Sequence, residues 1–333
     1  MASLAEIRAR LAEQAQKSGS STTSTGDNAI YAHWNIPEGS SASLRFLPDA
    51  DESNTFFWRE RQMIRIEFPG IKGQDESKKV TVQVPCVEMW GETCPVHATI
   101  RPWFKDPNME TLGRKYWKKR SYVFQGFVVN SPMEEQSTPE NPIRRFIISP
   151  QIFTLIKQAL MDPDMEELPT DYQRGTDFRL NKTQKGGYAD YSTSGWARKE
   201  RGLNETELQA IATHGLFNLN DFMPKKPGTD EVRAIMEMFE ASVAGELYDA
   251  DRWSKYYRPG GVQLSNSGNS APAPAADVDE DAPAPVASKP APAPAPVAQS
   301  APVQASAPAA TDSGTAKPSV DDILKMIRNR STT

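Results

Sequence analysis

The sequence of 333 residues has few of the residues that build disulfides or catalytic sites: two cysteines and three histidines. Two cysteines are too few for a disulfide scaffold. No run of about 18 apolar residues is present to span a bilayer, and the N-terminus lacks the apolar core of a signal peptide. We therefore expect a protein without membrane partners in a reducing, cytoplasmic compartment.

Sequence motifs of enzymes are also missing. The chain has no Gly-rich phosphate loop, no Gly-x-Ser-x-Gly elbow and no His-x-Glu partner of a zinc deaminase. Acidic pairs such as Glu134-Glu135 and Glu166-Glu167 lie in predicted loops, where solvated charge is the simpler explanation. We predict a protein that is not an enzyme. A zinc-containing nuclease remains the alternative, because folding can bring distant carboxylates together around metal ions.

The last quarter of the chain lacks aromatic residues from position 262 to 318 and consists mostly of Ala, Pro, Ser and Gly. Such a composition buries too little apolar surface to offset the entropy of ordering the chain. We expect residues 259–318 to form a disordered, Pro/Ala-rich, acidic linker. Residues 319–333 regain a capping-box and apolar pattern, which predicts a tethered segment that binds partner proteins. A weakly helical tail without a role is the alternative.

The N-terminal segment has a different pattern. A capping box begins at Ser3, and apolar residues then recur at helical spacing, which predicts a helix within residues 1–17. A helix of this length is marginal alone in water, so it needs a partner surface. The Ser/Thr/Gly-rich residues 18–29 read as a hinge.

The folded part is therefore expected at residues 30–258. Short strands rich in β-branched and aromatic residues alternate there with Gly and Pro turns, which favours a small barrel or sandwich. Helices are inserted after the N-caps Ser149 and Asn204 and from about Asp230. The predicted class is mainly β with inserted helices (α+β). The predicted strands are 43–47, 62–68, 80–87, 121–129, 144–148 and 178–182.

A basic and aromatic run precedes the fourth predicted strand. The chain has a net charge of −5, yet the stretch from Arg101 to Arg120 contains seven basic residues and only two acidic ones. Cations neutralise phosphates and aromatic faces stack on unpaired bases, so this run suits a single nucleic-acid strand better than a duplex. A strand with merely solvated charges is the alternative. The candidate contacts are Arg114, Lys115, Tyr116, Lys118, Lys119, Arg120 and Tyr122.

A second platform is predicted between residues 182 and 196. The dipeptide Gly186-Gly187 allows a sharp backbone turn. We expect the aromatic residues of this stretch to be presented from a loop beside lysines, where they can stack on bases. The candidate contacts are Lys182, Lys185, Tyr188 and Tyr191.

One cluster has the residue types of a metal site. Cys94-Pro-Val-His97 has the two-residue gap of a zinc knuckle, and Cys86 lies close enough in sequence to join it. A structural zinc ion needs four ligands, and the sequence identifies no fourth. Zinc binding and simple packing of buried thiols both remain open.

Four stretches occur in a fixed order over about residues 30 to 200: Leu44–Pro48, Cys94–His97, Lys118–Tyr122 with Phe127–Val129, and Gly187–Ser192. The Lys-Lys-Arg-Ser-Tyr run is the most specific of the four. In these stretches the chain resembles the single-stranded DNA-binding, helix-destabilising proteins of T-even-type tailed bacteriophages, and among these the cyanophage branch.

The resemblance implies an OB-fold core with a zinc subdomain at about residues 60–115 and a groove for single-stranded DNA. It places Lys118, Lys119, Arg120 and Tyr122 on the strand side of that groove and makes Tyr188 and Tyr191 stacking residues. It also implies cooperative self-association through the N-terminal segment. The C-terminal tail would recruit phage replication and recombination proteins, such as the polymerase, the helicase loader and the recombination mediator. The protein would then coat single-stranded DNA during replication, recombination and repair in the cytoplasm of the infected bacterial host.

The chain departs from the family pattern in three places. His97 replaces a cysteine, and no histidine lies between Phe46 and Cys86. The N-terminal basic motif is reduced to Arg8 and Arg10, and the end of the tail is basic rather than acidic. An RNA-binding OB protein remains a further alternative, because stacking surfaces accept either sugar.

Overall fold

The computed structural model describes residues 29–74, 78–135 and 138–260. The predicted N-terminal helix, nearly all of the hinge, the linker and the C-terminal segment lie outside these ranges. Among the described residues, no helix has the length and the apolar character needed to cross a bilayer.

The core is a seven-stranded sheet whose strand ladders are all antiparallel. The strand order is β3-β2-β4-β1-β6-β9, with β5 paired to β4. A separate hairpin contains β7 and β8. The strands are β1 (Ser41–Leu47), β2 (Arg59–Phe68), β3 (Val80–Pro85), β4 (Lys119–Asn130), β5 (Arg144–Ile148), β6 (Thr176–Asn181), β7 (Thr183–Lys185), β8 (Tyr188–Asp190) and β9 (Gly195–Glu200).

The sheet is open, which corrects the prediction of a barrel. Within the described residues, β3 and β9 are the two ends of the strand order, and no ladder joins them. The twelve-residue strand β4 lies at the centre and pairs with β2 along its first half and with β1 along its second. The structure is therefore mixed α/β, built on a mostly antiparallel sheet.

In the described ranges, six α-helices accompany this sheet. Asn204 caps one of them with the predicted capping box, in which its side chain accepts from the backbone N–H of Glu207. Pro150 begins another at its first position, as predicted. The helices are α1 (Pro95–Ile100), α2 (Pro107–Tyr116), α3 (Pro150–Leu160), α4 (Glu205–His214), α5 (Thr229–Val243) and α6 (Ala250–Trp253).

Two large apolar clusters hold the layers together. One packs β1, β4, β5 and β6 against α3 and includes Phe46, Phe124 and Phe178. The other packs β2 and β3 against α1, α2, α5 and α6 around Phe239 and Trp253. The first strand positions of β4 lie between these clusters, and this is where the basic run enters the sheet.

Candidate nucleic-acid interface

An open groove of about 860 Å³ lies beside the start of β4. Its walls are the residues from Trp117 to Tyr122, the N-terminal half of α3, and the β7–β8 hairpin. The structure therefore brings together the two platforms that the sequence predicted separately. The predicted contacts that line the groove are Lys118, Lys119, Arg120, Tyr122, Lys185 and Tyr188.

The groove is strongly basic although the whole chain is acidic. Six cations line it against one carboxylate, that of Asp190. The carboxylate of Asp190 accepts hydrogen bonds from the side chains of Gln151 and Ser192. Four of the cations have no ion pair with a carboxylate in the described ranges. These four are Lys119, Arg120, Lys157 and Lys185.

Aromatic side chains lie between these cations. The ring of Tyr122 stacks on that of Phe153, with 3.5 Å between centroids and 12° between planes. Burial raises the pKa of the Tyr122 hydroxyl, so this side chain is neutral at physiological pH. Tyr188 is 43% exposed and Trp117 is half-buried, so both present ring surface to the groove. Such faces can stack on unpaired bases.

A short hairpin, rather than the predicted loop, carries Lys185 and Tyr188. The turn is formed by Gly186 and Gly187, whose φ angles of 64° and 86° favour glycine. Its base is anchored to α3, because the Gln151 side chain donates to Asp190 (2.9 Å) and accepts from the backbone N–H of Tyr191 (3.3 Å).

Two of the predicted aromatic contacts are core residues, so their predicted role is wrong. Tyr191 is fully buried, and its ring packs edge-on against that of His33. Tyr116 is 1% exposed, and its hydroxyl bonds to that of Ser242 at 2.8 Å. Neither ring has a free face on which a base could stack.

Three predicted cationic contacts also lie outside the groove lining. Arg114 and Lys115 are on α2, where Arg114 pairs with Glu110 and Lys115 pairs with Glu67. Lys182 donates to the backbone carbonyl of Trp34. These three side chains form ion pairs or a hydrogen bond within the protein and do not line the groove.

Besides Trp117, which lies inside the predicted basic and aromatic run, four cationic or aromatic residues of the groove lining were not among the predicted contacts. Phe153 lies among the apolar residues of α3 that pack on the core, and its ring also forms a wall of the groove. Lys157 lies one helical turn further along, and this i,i+4 spacing was the available signal. The others are Trp34 and Arg65, the latter between the buried residues Ile64 and Ile66.

The candidate metal ligands Cys86, Cys94 and His97 do come together. One ligand atom from each lies within 4.8 Å of the others, and all three residues are buried. Burial lowers the pKa of His97, which keeps the imidazole neutral, as a metal ligand must be. Hydrogen bonding from Cys86 and from the first backbone N–H groups of α1 lowers the pKa of the Cys94 thiol. This cluster could hold a metal ion.

The metal-type cluster lies directly behind the groove wall. The ring of His97 stacks on that of Trp117, with 4.4 Å between centroids, and its Nε2 lies 3.2 Å from the backbone nitrogen of Lys118. Glu88 connects the same parts, because its carboxylate lies 3.2 Å from His97 Nδ1 and 2.7 Å from Lys118 Nζ. The metal-type cluster therefore contacts two residues of the groove wall, Trp117 and Lys118.

No family model and no curated protein matches the chain.

In the described part of the chain, the Cys86, Cys94 and His97 cluster is the only group of three or more metal-type side chains close enough to hold an ion. The groove itself thus offers positive charge and stacking surfaces, with Asp190 as its one carboxylate among the lining residues.

Proposed function

We propose that the protein binds single-stranded DNA in this groove, without strong sequence preference and without catalysis. The observation that carries the proposal is the meeting of the Lys118–Tyr122 run with the Tyr188 hairpin across one basic, aromatic-lined groove. Cations there track the phosphates, and Tyr188 and Trp117 stack on bases. Every base has a π-face, so this mode of binding tolerates any sequence.

A single strand fits this chemistry better than a duplex. The aromatic faces have a use only when bases are unpaired, and base pairs in a duplex hide their faces from Tyr188 and Trp117. The proposed biological role is the coating of single-stranded DNA during phage replication, recombination and repair. The same proposal includes an OB-fold core of the partly open kind, which does not require a closed barrel. It also includes self-association through residues 1–17 and recruitment of replication proteins by residues 319–333.

The metal in this proposal is zinc with a structural role. Cys86, Cys94 and His97 supply three of the four ligands that such a site needs. We propose Glu88 as the fourth, because its carboxylate lies 3.2 Å from His97 Nδ1. Zinc would fix the relative positions of β3, α1 and the residue pair Trp117-Lys118. Its contribution to binding would thus be the shape of the groove wall.

The proposal is tested by equilibrium titration of the full chain with labelled oligonucleotides of one sequence as single-stranded DNA, as duplex DNA and as RNA. We expect the tightest binding to single-stranded DNA, with log affinity falling against log salt by about 0.7 per phosphate contacted. Equal affinity for the duplex contradicts the proposal. Preference for the RNA strand would instead assign the groove to RNA.

A further inference from the structure

A second basic patch lies at the outer edge of the sheet, outside the groove. It is a shallow pocket of about 420 Å³ between the ends of β6 and β9. Three exposed cations line it, and none of its lining residues is acidic. These cations are Arg179, Arg198 and Lys199.

The charge of this edge patch is not neutralised by its neighbours. In the described ranges none of the three cations has an ion pair with a carboxylate, and the adjacent Glu200 is paired with Arg174 at 3.1 Å. A cation that is buried or paired with a carboxylate is not available to a ligand. Within the described residues these three are neither, so they are available. Three unpaired cations in one pocket attract polyanions.

The edge patch is connected to the groove through the β7–β8 hairpin. Asn181 and Thr193, which flank this hairpin in the chain, line the patch, whereas Lys185 and Tyr188 near its turn line the groove. From Asn181 to Lys185 the extended chain covers about 13 Å at 3.3 Å per residue. A strand that leaves the groove over the hairpin therefore reaches the patch within a few nucleotides.

We infer that the edge patch is a second phosphate-binding site, which holds the part of a single strand that extends beyond the groove. The inference rests on the proposed function and adds to it a path for the strand: groove, hairpin, edge of the sheet. The trailing nucleotides contribute affinity only when the bound strand is long enough to reach Arg179, Arg198 and Lys199. Because the contacts are to phosphates, they carry no sequence preference.

The test compares oligothymidylates of roughly 6 and 16 nucleotides, which bracket the span of a single site. The full chain with Arg179→Ala, Arg198→Ala and Lys199→Ala should bind the short strand as the unaltered protein does. For the long strand, the slope of log affinity against log salt should fall by about 2, or about 0.7 for each of the three lost contacts. Because the three side chains are exposed, thermal unfolding should be unchanged.

Two further variants make the result interpretable. The variant Lys225→Ala, Lys226→Ala, Arg233→Ala makes the same change in net charge away from both sites and should alter neither slope. The groove variant Lys119→Ala, Lys157→Ala, Lys185→Ala should weaken both strand lengths. If the groove variant has no effect, the proposed function fails. If it weakens both lengths and the edge variant weakens neither, only the second site fails.

The alternative ligand of the edge patch is the acidic stretch from Asp277 to Asp281 of the same chain, which would compete with DNA. If the patch bound this stretch instead of DNA, loss of its cations would leave the long-strand slope unchanged or tighten binding. Either result overturns the inference.

Discussion

At the scale of residues, two tyrosines three positions apart have opposite environments. Tyr188 is 43% exposed on the hairpin, whereas Tyr191 is fully buried among the aromatic residues of the core. Both follow the Gly186-Gly187 turn, and the sequence pattern assigned both to base stacking. Only the first can perform that role in this structure, and the pair thus provides a matched test.

Substituting Tyr188 by Ala should weaken single-strand binding by about 1–3 kcal/mol without changing stability, because it removes an exposed stacking face. Tyr188→Phe keeps that face and should bind normally. Tyr191→Ala should instead destabilise the fold by about 3–5 kcal/mol, as expected for a large aromatic side chain removed from a core. Fluorescence titration and urea unfolding separate the two effects. A stable Tyr191→Ala protein with weakened DNA binding would refute the assignment.

At the scale of elements, the hairpin is positioned by one side chain of α3. Gln151 bonds both to Asp190 and to the backbone of Tyr191, so it holds the base of the hairpin against the helix that carries Phe153. The side chain of Gln151, which also lines the groove, thus connects these two groove walls.

Substituting Gln151 by Ala should speed amide hydrogen exchange in residues 183–190 and weaken single-strand binding less than Tyr188→Ala does, because the stacking face is retained. The overall unfolding free energy should change little, since Gln151 is exposed. Gln158→Ala, on the last turn of the same helix, is the control. Unchanged exchange together with unchanged affinity would show that Gln151 does not position the hairpin.

The metal-type cluster acts on the same scale, because it links α1 to the groove wall through Trp117 and Lys118. Metal analysis of the purified protein should find zinc, and a chelator should lower both the melting temperature and the affinity for single-stranded DNA. Cys94→Ser should reproduce both losses. If the purified protein contains no metal, and a chelator changes neither its melting temperature nor its affinity for single-stranded DNA, Cys86 and Cys94 are packed thiols.

Local patterns predicted most of these elements. All six predicted strands are present within a few residues of their predicted ends, and the caps at Ser149 and Asn204 are confirmed. Strands β7, β8 and β9 were not predicted. The hairpin strands β7 and β8 have three residues each and are too short to show alternation. Burial of Tyr191 and Tyr116 depends on His33 and Ser242, which are remote in sequence, so no local pattern reveals it.

At the scale of the whole molecule, charge is separated between a basic groove and acidic residues elsewhere. Some of these acidic residues form ion pairs that join elements distant in sequence. Buried Arg45 on β1 contacts Asp177 on β6, which also pairs with Arg201, and Arg201 in turn pairs with Glu207 on α4. Burial by itself would raise the pKa of Glu207, but its bonds with Arg201 and Asn204 outweigh burial and lower it.

A lowered pKa makes the contribution of Glu207 to stability depend on acidity. The contribution should be complete above the ordinary glutamate pKa of about 4.3 and should be lost as pH falls through the lower pKa of the folded state. Glu207→Gln should therefore be less stable than the unaltered protein at pH 7 and lose less stability on acidification. Urea unfolding as a function of pH measures this, with the exposed Glu205→Gln as control. Equal acid sensitivity in both variants and the unaltered protein would contradict it.

The central claim is that a single strand of DNA occupies the groove between β4, α3 and the hairpin. Photo-crosslinking of the full chain to an oligothymidylate, followed by mass spectrometry of the peptides, tests it most directly. We predict crosslinks at Tyr188 and Trp117, both lost in excess unlabelled single strand and neither displaced by duplex DNA. Crosslinks confined to residues outside the groove would contradict the account.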